Sequence, residues 1–272
     1  MSKPLRVAFS GAGFRIPAHI GALQAIVDAG FAPIQIYGTS AGSIVGALYA
    51  CGMSLADMKA LSLTYDWSGM MSFNPLSIFR MGLCSGSRLL DFINEHTGGK
   101  KFRDLAIDFA AVTSDLTNNA RFTFSKANAA DVPVALAVRA SASIPFIYEP
   151  VRYQGMLLQD GGMVSNIAAD SLTVDDVPRV GIQLVSNDLK LTPNGTLTFT
   201  GLAMRDIDLM LSACESAHVT AAQAAGAKMV FIDTSYASTL DRHMAVATRE
   251  RLYDDGYRET ATALQIALTG TS

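Results

Sequence analysis

Short apolar runs punctuated by glycine alternate with longer runs of small and apolar residues over the first fifty positions. Residues 5–10 read as a strand, and Ile34-Gln35-Ile36-Tyr37 alternates as a second one. Helices are expected from about Pro17 to Ala29 and from about Ser43 to Cys51. Pro17 suits the first turn of its helix, where a missing N–H costs nothing. Strand, glycine loop, helix, strand, sharp turn and helix together imply a βαβ unit and a largely parallel sheet.

The pattern then breaks. From about Leu61 to Gly99, Trp67, Met70, Met71, Phe73, Ile78, Phe79 and Met81 are interleaved with Gly, Ser, Asn and Pro, which predicts an apolar but irregular segment. It reads either as ordinary core packing or as a mobile lid or lipid-contacting surface. Regular elements resume with strands over Phe109–Thr113 and Arg121–Phe124 and a helix over Val132–Ala140, with Asp131 as its cap and Pro133 in its first turn. Gly155–Gln159 leads into Asp160, and Val180–Val185 is a buried strand. A long helix over Gly201–Ala225, a strand over Lys228–Ile232 and a last helix from Asp241 or Ala245 to Leu268 complete the prediction. No repeat, low-complexity tract or linker interrupts the 272 residues, so a single α/β domain over 1–272 is expected.

Composition narrows the class. Half of the residues are hydrophobic and 17% are charged, which suits a well-buried enzyme. A net charge of −3 with scattered Lys and Arg gives no basis for nucleic-acid binding. Cys51, Cys84 and Cys214 lack metal-ligand spacing and read as reduced thiols of a cytoplasmic protein. The basic start Ser2-Lys3-Pro4-Leu5-Arg6 runs into the first strand and not into a signal peptide. No run reaches the ~18 apolar residues of a membrane span, leaving transient contact with a membrane surface as the expected membrane role. Nothing has the signature of a metal or calcium site, and no cofactor is expected.

The candidate chemistry begins at Gly38-Thr39-Ser40-Ala41-Gly42, a G-x-S-x-G sequence between a strand and a helix. A serine there is thrust up from a sharp turn that tolerates only small neighbours, and the helix dipole favours negative charge beside it. The first loop, Ser10-Gly11-Ala12-Gly13-Phe14-Arg15, offers backbone N–H groups near a helix start. A dinucleotide fingerprint fails here, because Ile16 replaces the third glycine and Asp28 comes too early; phosphate or oxyanion binding remains open. No histidine is marked as a base. His19 reads as packing or capping locally, and His218 and His243 as helix-surface residues. Asp160-Gly161-Gly162 is a tight turn at a strand end. Ser141 and Ser143 read as capping or turn residues, and Asp115 as a loop residue bonded to nearby backbone.

Four ordered blocks resemble the patatin-like phospholipases: Ser10–Arg15 with Ala18–Leu23, Gly38–Gly42, Ala140–Pro145, and Asp160-Gly161-Gly162. The resemblance covers roughly the first 170 residues. It implies a three-layer α/β/α fold with a central, mostly parallel sheet. It also implies a Ser–Asp dyad, with Ser40 as nucleophile and Asp160 as the base. The N–H groups of Gly11, Ala12 and Gly13 would form the oxyanion hole beside Arg15, with Gly38, Gly42, Gly161 and Gly162 supporting the turns. The implied substrate is a lipid or other fatty-acyl ester, hydrolysed through an acyl-enzyme. An aspartate, with an ordinary pKa of about 3.9, can act as that base only in hydrogen-bond reach and partly desolvated. The family's commonest first block is G-G-G-x-R-G, so Ala12 and Ile16 depart from it; the G-x-G-F form looks like its neutral-lipid lipase branch. Ala12 keeps its donor but would be strained at positive φ. Acyl transfer by the same dyad, or a silent lipid-binding scaffold distorted at Ala12, are the alternatives.

Overall fold

The computed structural model describes residues 2–185 and 216–269. The first four elements are β1 (Lys3–Phe9), α1 (Ile16–Asp28), β2 (Phe31–Thr39) and α2 (Ala41–Ala50). Next come α3 (Leu55–Thr64), β3 (Gly82–Cys84), α4 (Ser87–Thr97), β4 (Asp108–Asp115) and β5 (Ala120–Ser125). The middle holds α5 (Lys126–Ala129), α6 (Val134–Ser141), β6 (Phe146–Tyr148), β7 (Val151–Tyr153), β8 (Met156–Asp160) and α7 (Gly162–Ser165). After β9 (Arg179–Val185) follow α8 over residues 216–224, β10 (Lys228–Asp233) and α9 (Val246–Thr269).

The main sheet runs β10-β9-β1-β2-β4-β8-β7, with β5 also on β4. Its five strands from β10 to β4 are parallel, and β5, β7 and β8 join antiparallel. Both faces of β1 are covered, as a parallel sheet requires. Leu5, Val7 and Phe9 enter the large core with α1 and α2, while Ala8 faces a smaller cluster with Ile167, Ala169, Leu172 and Ala222. This is the α/β/α layering with a mostly parallel sheet that the resemblance implied.

One detail of register positions the site. Thr39, the last residue of β2, pairs with Val112 of β4, and Asp160, the last of β8, pairs with the next residue, Thr113. β5 occupies the opposite edge of β4, so β8 takes over the edge that β2 leaves. Two chain ends from opposite directions therefore meet at one point of the sheet.

The last helix also bears on the site. α9 crosses α1 where Gly21 lies against the Tyr253 backbone and Gly256 against the Ala18 backbone, an approach that side chains would prevent. Among the described residues no helix is long and apolar enough to cross a membrane.

The expected elements hold apart from a few corrections. The helix expected from Val132 starts at Val134, because Val132 and Pro133 are held in extended backbone against Lys100–Phe102. Asp131 does not cap it; its carboxylate pairs with Arg103. The irregular segment contains the regular helix α4, bounded by Gly86 and Gly98 in left-handed conformation. Cys51 and Cys84 are free buried thiols, whereas Cys214 and most of the helix expected over Gly201–Ala225 lie outside the described residues.

Candidate active site

Ser40 sits between β2 and α2 at φ 52°, ψ −122°, a conformation that costs a non-glycine residue about 1–3 kcal/mol. Its surroundings hold it there. The Ser40 carbonyl accepts from the N–H groups of Ser43 and Ile44 and from the Ser43 hydroxyl. A methyl on Gly42 would press into the Phe9 and Ser10 carbonyls, and one on Gly38 into the Ser43 backbone. Close packing of the turn against β1 thus explains the small residues around the serine.

Asp160 comes to it from β8. The Ser40 hydroxyl donates to Asp160 Oδ2 at 2.7 Å, and the Gly162 N–H donates to Oδ1 at 2.8 Å. Burial pushes the Asp160 carboxyl up to about 6, although both hydrogen bonds pull it down. A carboxylate tuned in this way is a far better proton acceptor near neutral pH than a solvated one. Gly161 packs against the Val112 carbonyl, which leaves no room for a side chain in this turn.

The end of α6 brackets both partners. The Ser141 hydroxyl accepts from the Ser40 N–H at 2.9 Å and donates to the Val112 carbonyl at 2.6 Å. The Ser143 and Ser141 carbonyls accept from the N–H groups of Asp160 and Gly161. Ser141 caps nothing here; it is a positioning residue of the turn, and its place in the Ala140–Pro145 block was the available signal. Arg139, buried one turn earlier, donates to the Ser143 hydroxyl and to the Ser85, Gly86 and Glu149 carbonyls.

The glycine loop lies alongside. The Gly11 N–H donates to the Asn166 carbonyl at 3.0 Å, so of the three expected donors this one is already engaged. The N–H groups of Ala12 and Gly13 have no protein acceptor among the described residues. The positive φ of the loop falls on Gly13 (57°) and not on Ala12, so alanine is accommodated without strain. Ile16 simply opens α1. Arg15 is buried, donating from Nε to the Ala12 carbonyl and from Nη1 to the Thr234 hydroxyl. Phe14 N–H donates to the Thr239 carbonyl, so the C-terminal part of the chain also holds the loop.

His19 is fully buried with Nε2–H donating to the Ser10 carbonyl at 2.8 Å, and burial pushes its pKa down to about 3. It is a neutral prop of the loop. His218 departs from expectation: it is half-buried, with Nδ1 on Asp170 and Nε2 on the Val164 carbonyl, tying α8 to the turn after Asp160. Asp115 accepts from the Thr117 and Asn118 N–H groups, as a loop-supporting residue should.

Beside Ser40 and Gly13 opens a cleft walled by Phe14, Ile44, Trp67, Met70, Ile144 and Tyr148. Hydrocarbon would lose contact with water there, at about 0.8 kcal/mol per buried methylene.

Comparison with known proteins fits this geometry. The family model described as patatin-like phospholipase matches residues 7–173, well over half of the chain. The chain belongs to that family. A relative of similar extent is the uncharacterized protein YqhO of Bacillus subtilis, 26% identical, with 94% of this chain and 97% of that one covered. An uncharacterized NTE family protein of Mycobacterium bovis is 28% identical over 190 residues, 70% of this chain and 48% of the relative. The match thus spans about half the length of that mycobacterial relative. Among solved structures, VipD from Legionella pneumophila superposes with a TM-score of 0.64 at 14% identity, covering 97% of this chain and 67% of that one. ExoU of Pseudomonas aeruginosa, in complex with SpcU, gives 0.53 at 15% identity, covering 98% and 53%. These structural likenesses show the patatin-like fold alone. Family membership supports lipid hydrolysis as the chemistry at the level of the family.

Proposed function

We propose that this protein is a serine acyl hydrolase for lipid esters, built as one domain, in which Ser40 and Asp160 act as a dyad. The observation that carries the reading is the 2.7 Å bond from the Ser40 hydroxyl to a buried carboxylate, at the wall of an apolar cleft. Asp160 takes the hydroxyl proton as Ser40 Oγ bonds to the ester carbonyl carbon. The negative charge that develops on the carbonyl oxygen is met by the N–H groups of Ala12 and Gly13 and by the N-terminal end of α2. Collapse expels the alcohol, which leaves with the proton held by Asp160, and the acyl group stays on Ser40. Water then loses a proton to Asp160 and attacks the acyl carbonyl. The fatty acid departs, and the proton returns to Ser40.

Gly11, Arg15 and His19 serve this chemistry by holding the loop, and Gly38, Gly42, Gly161 and Gly162 by fitting the two turns. The absence of positive φ at Ala12 removes the reason for a silent scaffold. Fluorophosphonate treatment of the purified protein, followed by intact-mass measurement, tests the reading. One adduct on the wild type and none on Ser40→Ala is the expected result, with turnover of a fatty-acyl ester lost in Ser40→Ala and Asp160→Asn. Undiminished turnover in either variant would overturn the dyad.

A further inference from the structure

One face beside the cleft remains unexplained by the chemistry. The short 3-10 segment Pro75–Arg80, the residues on either side of it, and the two-stranded sheet of β3 and β6 turn large apolar side chains to solvent. Phe73, Leu76, Phe79, Met81, Leu83 and Phe146 are all exposed, Phe79 to 87% and Phe146 to 65%. Backbone bonding places them together: Asn74 N–H donates to the Leu83 carbonyl, and Gly82 pairs with Phe146. Exposed apolar residues gathered on one face, unlike scattered ones, mark an interaction site.

Two further observations bear on what covers it. Met81 and Phe146 hold φ of 68° and 64°, two of the five positive values at non-glycine residues among the described residues, and both carry exposed side chains. Such backbone strain persists where the surroundings enforce it, here at positions that present hydrocarbon outward. Within the segment itself the charge is basic. Residues 67–90 contain Arg80 and Arg88 and no aspartate or glutamate, in a chain of net charge −3. The Arg80 side chain is 73% exposed, with Glu149 at 3.9 Å as its ion-pair partner.

The face is also continuous with the cleft. Met71, two residues before Phe73, and Tyr148, two residues after Phe146, line the cleft at Ser40, and the Tyr148 hydroxyl donates to the Met70 carbonyl.

We propose that this face docks on a lipid bilayer, with Phe73, Leu76, Phe79, Met81 and Phe146 entering the interfacial region and Arg80 and Arg88 meeting lipid phosphates. The choice of a lipid partner rests on the hydrolase reading above. Apolar side chains flanked by Arg80 and Arg88, of which Arg80 also pairs with Glu149, suit an anionic surface, which adds an attraction that falls off with salt. Docked in this way, the protein opens its cleft toward the acyl chains.

The test is flotation of the full chain with phosphatidylcholine vesicles, with and without phosphatidylglycerol, alongside hydrolysis of a water-soluble short-chain ester. Wild type and Ser40→Ala should float equally, more strongly with phosphatidylglycerol. The double variant Leu76→Asp/Phe79→Asp should lose at least about tenfold in vesicle affinity while keeping its soluble-ester rate. Arg80→Gln should lose about fivefold of the gain that phosphatidylglycerol confers. Failure of the wild type to float, or equal flotation of the double variant, overturns the proposal. So does a wild-type dimer in vesicle-free buffer that the double variant converts to monomer, since a second copy would then cover the face. Flotation without ester hydrolysis would support the docking face and overturn the hydrolase reading; hydrolysis without flotation would do the reverse.

Discussion

Residues 3–50 and residues 67–90 both border Ser40, yet the first stretch is packed at van der Waals contact and the second is split between core and solvent. Nearly every side chain of α1 and α2 is buried, and the Ser40 turn leaves no space between the carbonyls of Phe9 and Ser10 and the Gly42 backbone. In the later stretch Trp67, Met70, Cys84 and Leu89 pack inward while Phe73, Leu76, Phe79 and Met81 face out. The contrast separates two tasks. Holding a strained serine within 2.7 Å of a carboxylate needs neighbours that cannot yield, whereas contact with a variable hydrocarbon surface needs side chains that are not committed to the core.

The largest effect that would test this contrast is expected from Gly42→Ala. Its methyl group has no space against the Phe9 and Ser10 carbonyls, and a loss of about 3 kcal/mol or outright failure to fold should follow in chemical denaturation. A loss under about 1 kcal/mol would show that the seat of the serine yields after all.

Asp160 gives a smaller effect of opposite sign. Its carboxyl keeps its proton up to about pH 6 in the folded state, against 3.8 ordinarily, so the folded state binds more protons between those values. Stability from this group therefore falls as pH rises through that window, by at most about 3 kcal/mol. Asp160→Asn should be about 1–2 kcal/mol more stable than wild type at about pH 8, and the gain should vanish near pH 4. In the wild type, kcat/KM for a soluble ester should rise with pH through an apparent pKa of about 6. A flat profile between pH 5 and 8, or an unstabilised variant, would show that Asp160 is not a strained base.

The smallest effect belongs to the exposed face. Phe79→Ser should change stability by no more than about 0.5 kcal/mol, because its side chain leaves solvent for nothing. A loss above about 1 kcal/mol in thermal melting would place Phe79 in the core and erase the contrast.

The same contrast governs what could be read from the sequence. In residues 3–50 local rules suffice: buried strands alternate with helices, and small residues mark the turns. The positions of Ser40 and Asp160 followed from motif and resemblance, and the sheet register supplies their meeting point. The helix α4 is masked in the sequence because Gly, Ser, Asn and Pro crowd the residues before it, although Leu89, Phe92 and Ile93 have helical spacing. Strands of three residues, such as β3 and β6, are too short to show alternation. His218 and Asn166 act through partners brought near only by folding, and no local pattern marks such residues. Ser141 was legible as a small polar residue at a helix end, but its role depends on Val112 and Ser40, 29 and 101 positions away.

The crossing of α1 and α9 also sets an order in time. A ribosome delivers Ser40 and Asp160 roughly 80 residues before Thr239, whose carbonyl takes the Phe14 N–H, and α9 follows later still. At roughly 5–20 residues per second, the nascent chain carries both Ser40 and Asp160 for several seconds before the glycine loop has its seat. The seat of the glycine loop thus comes from a stretch of chain that bears none of the motifs and is made after them.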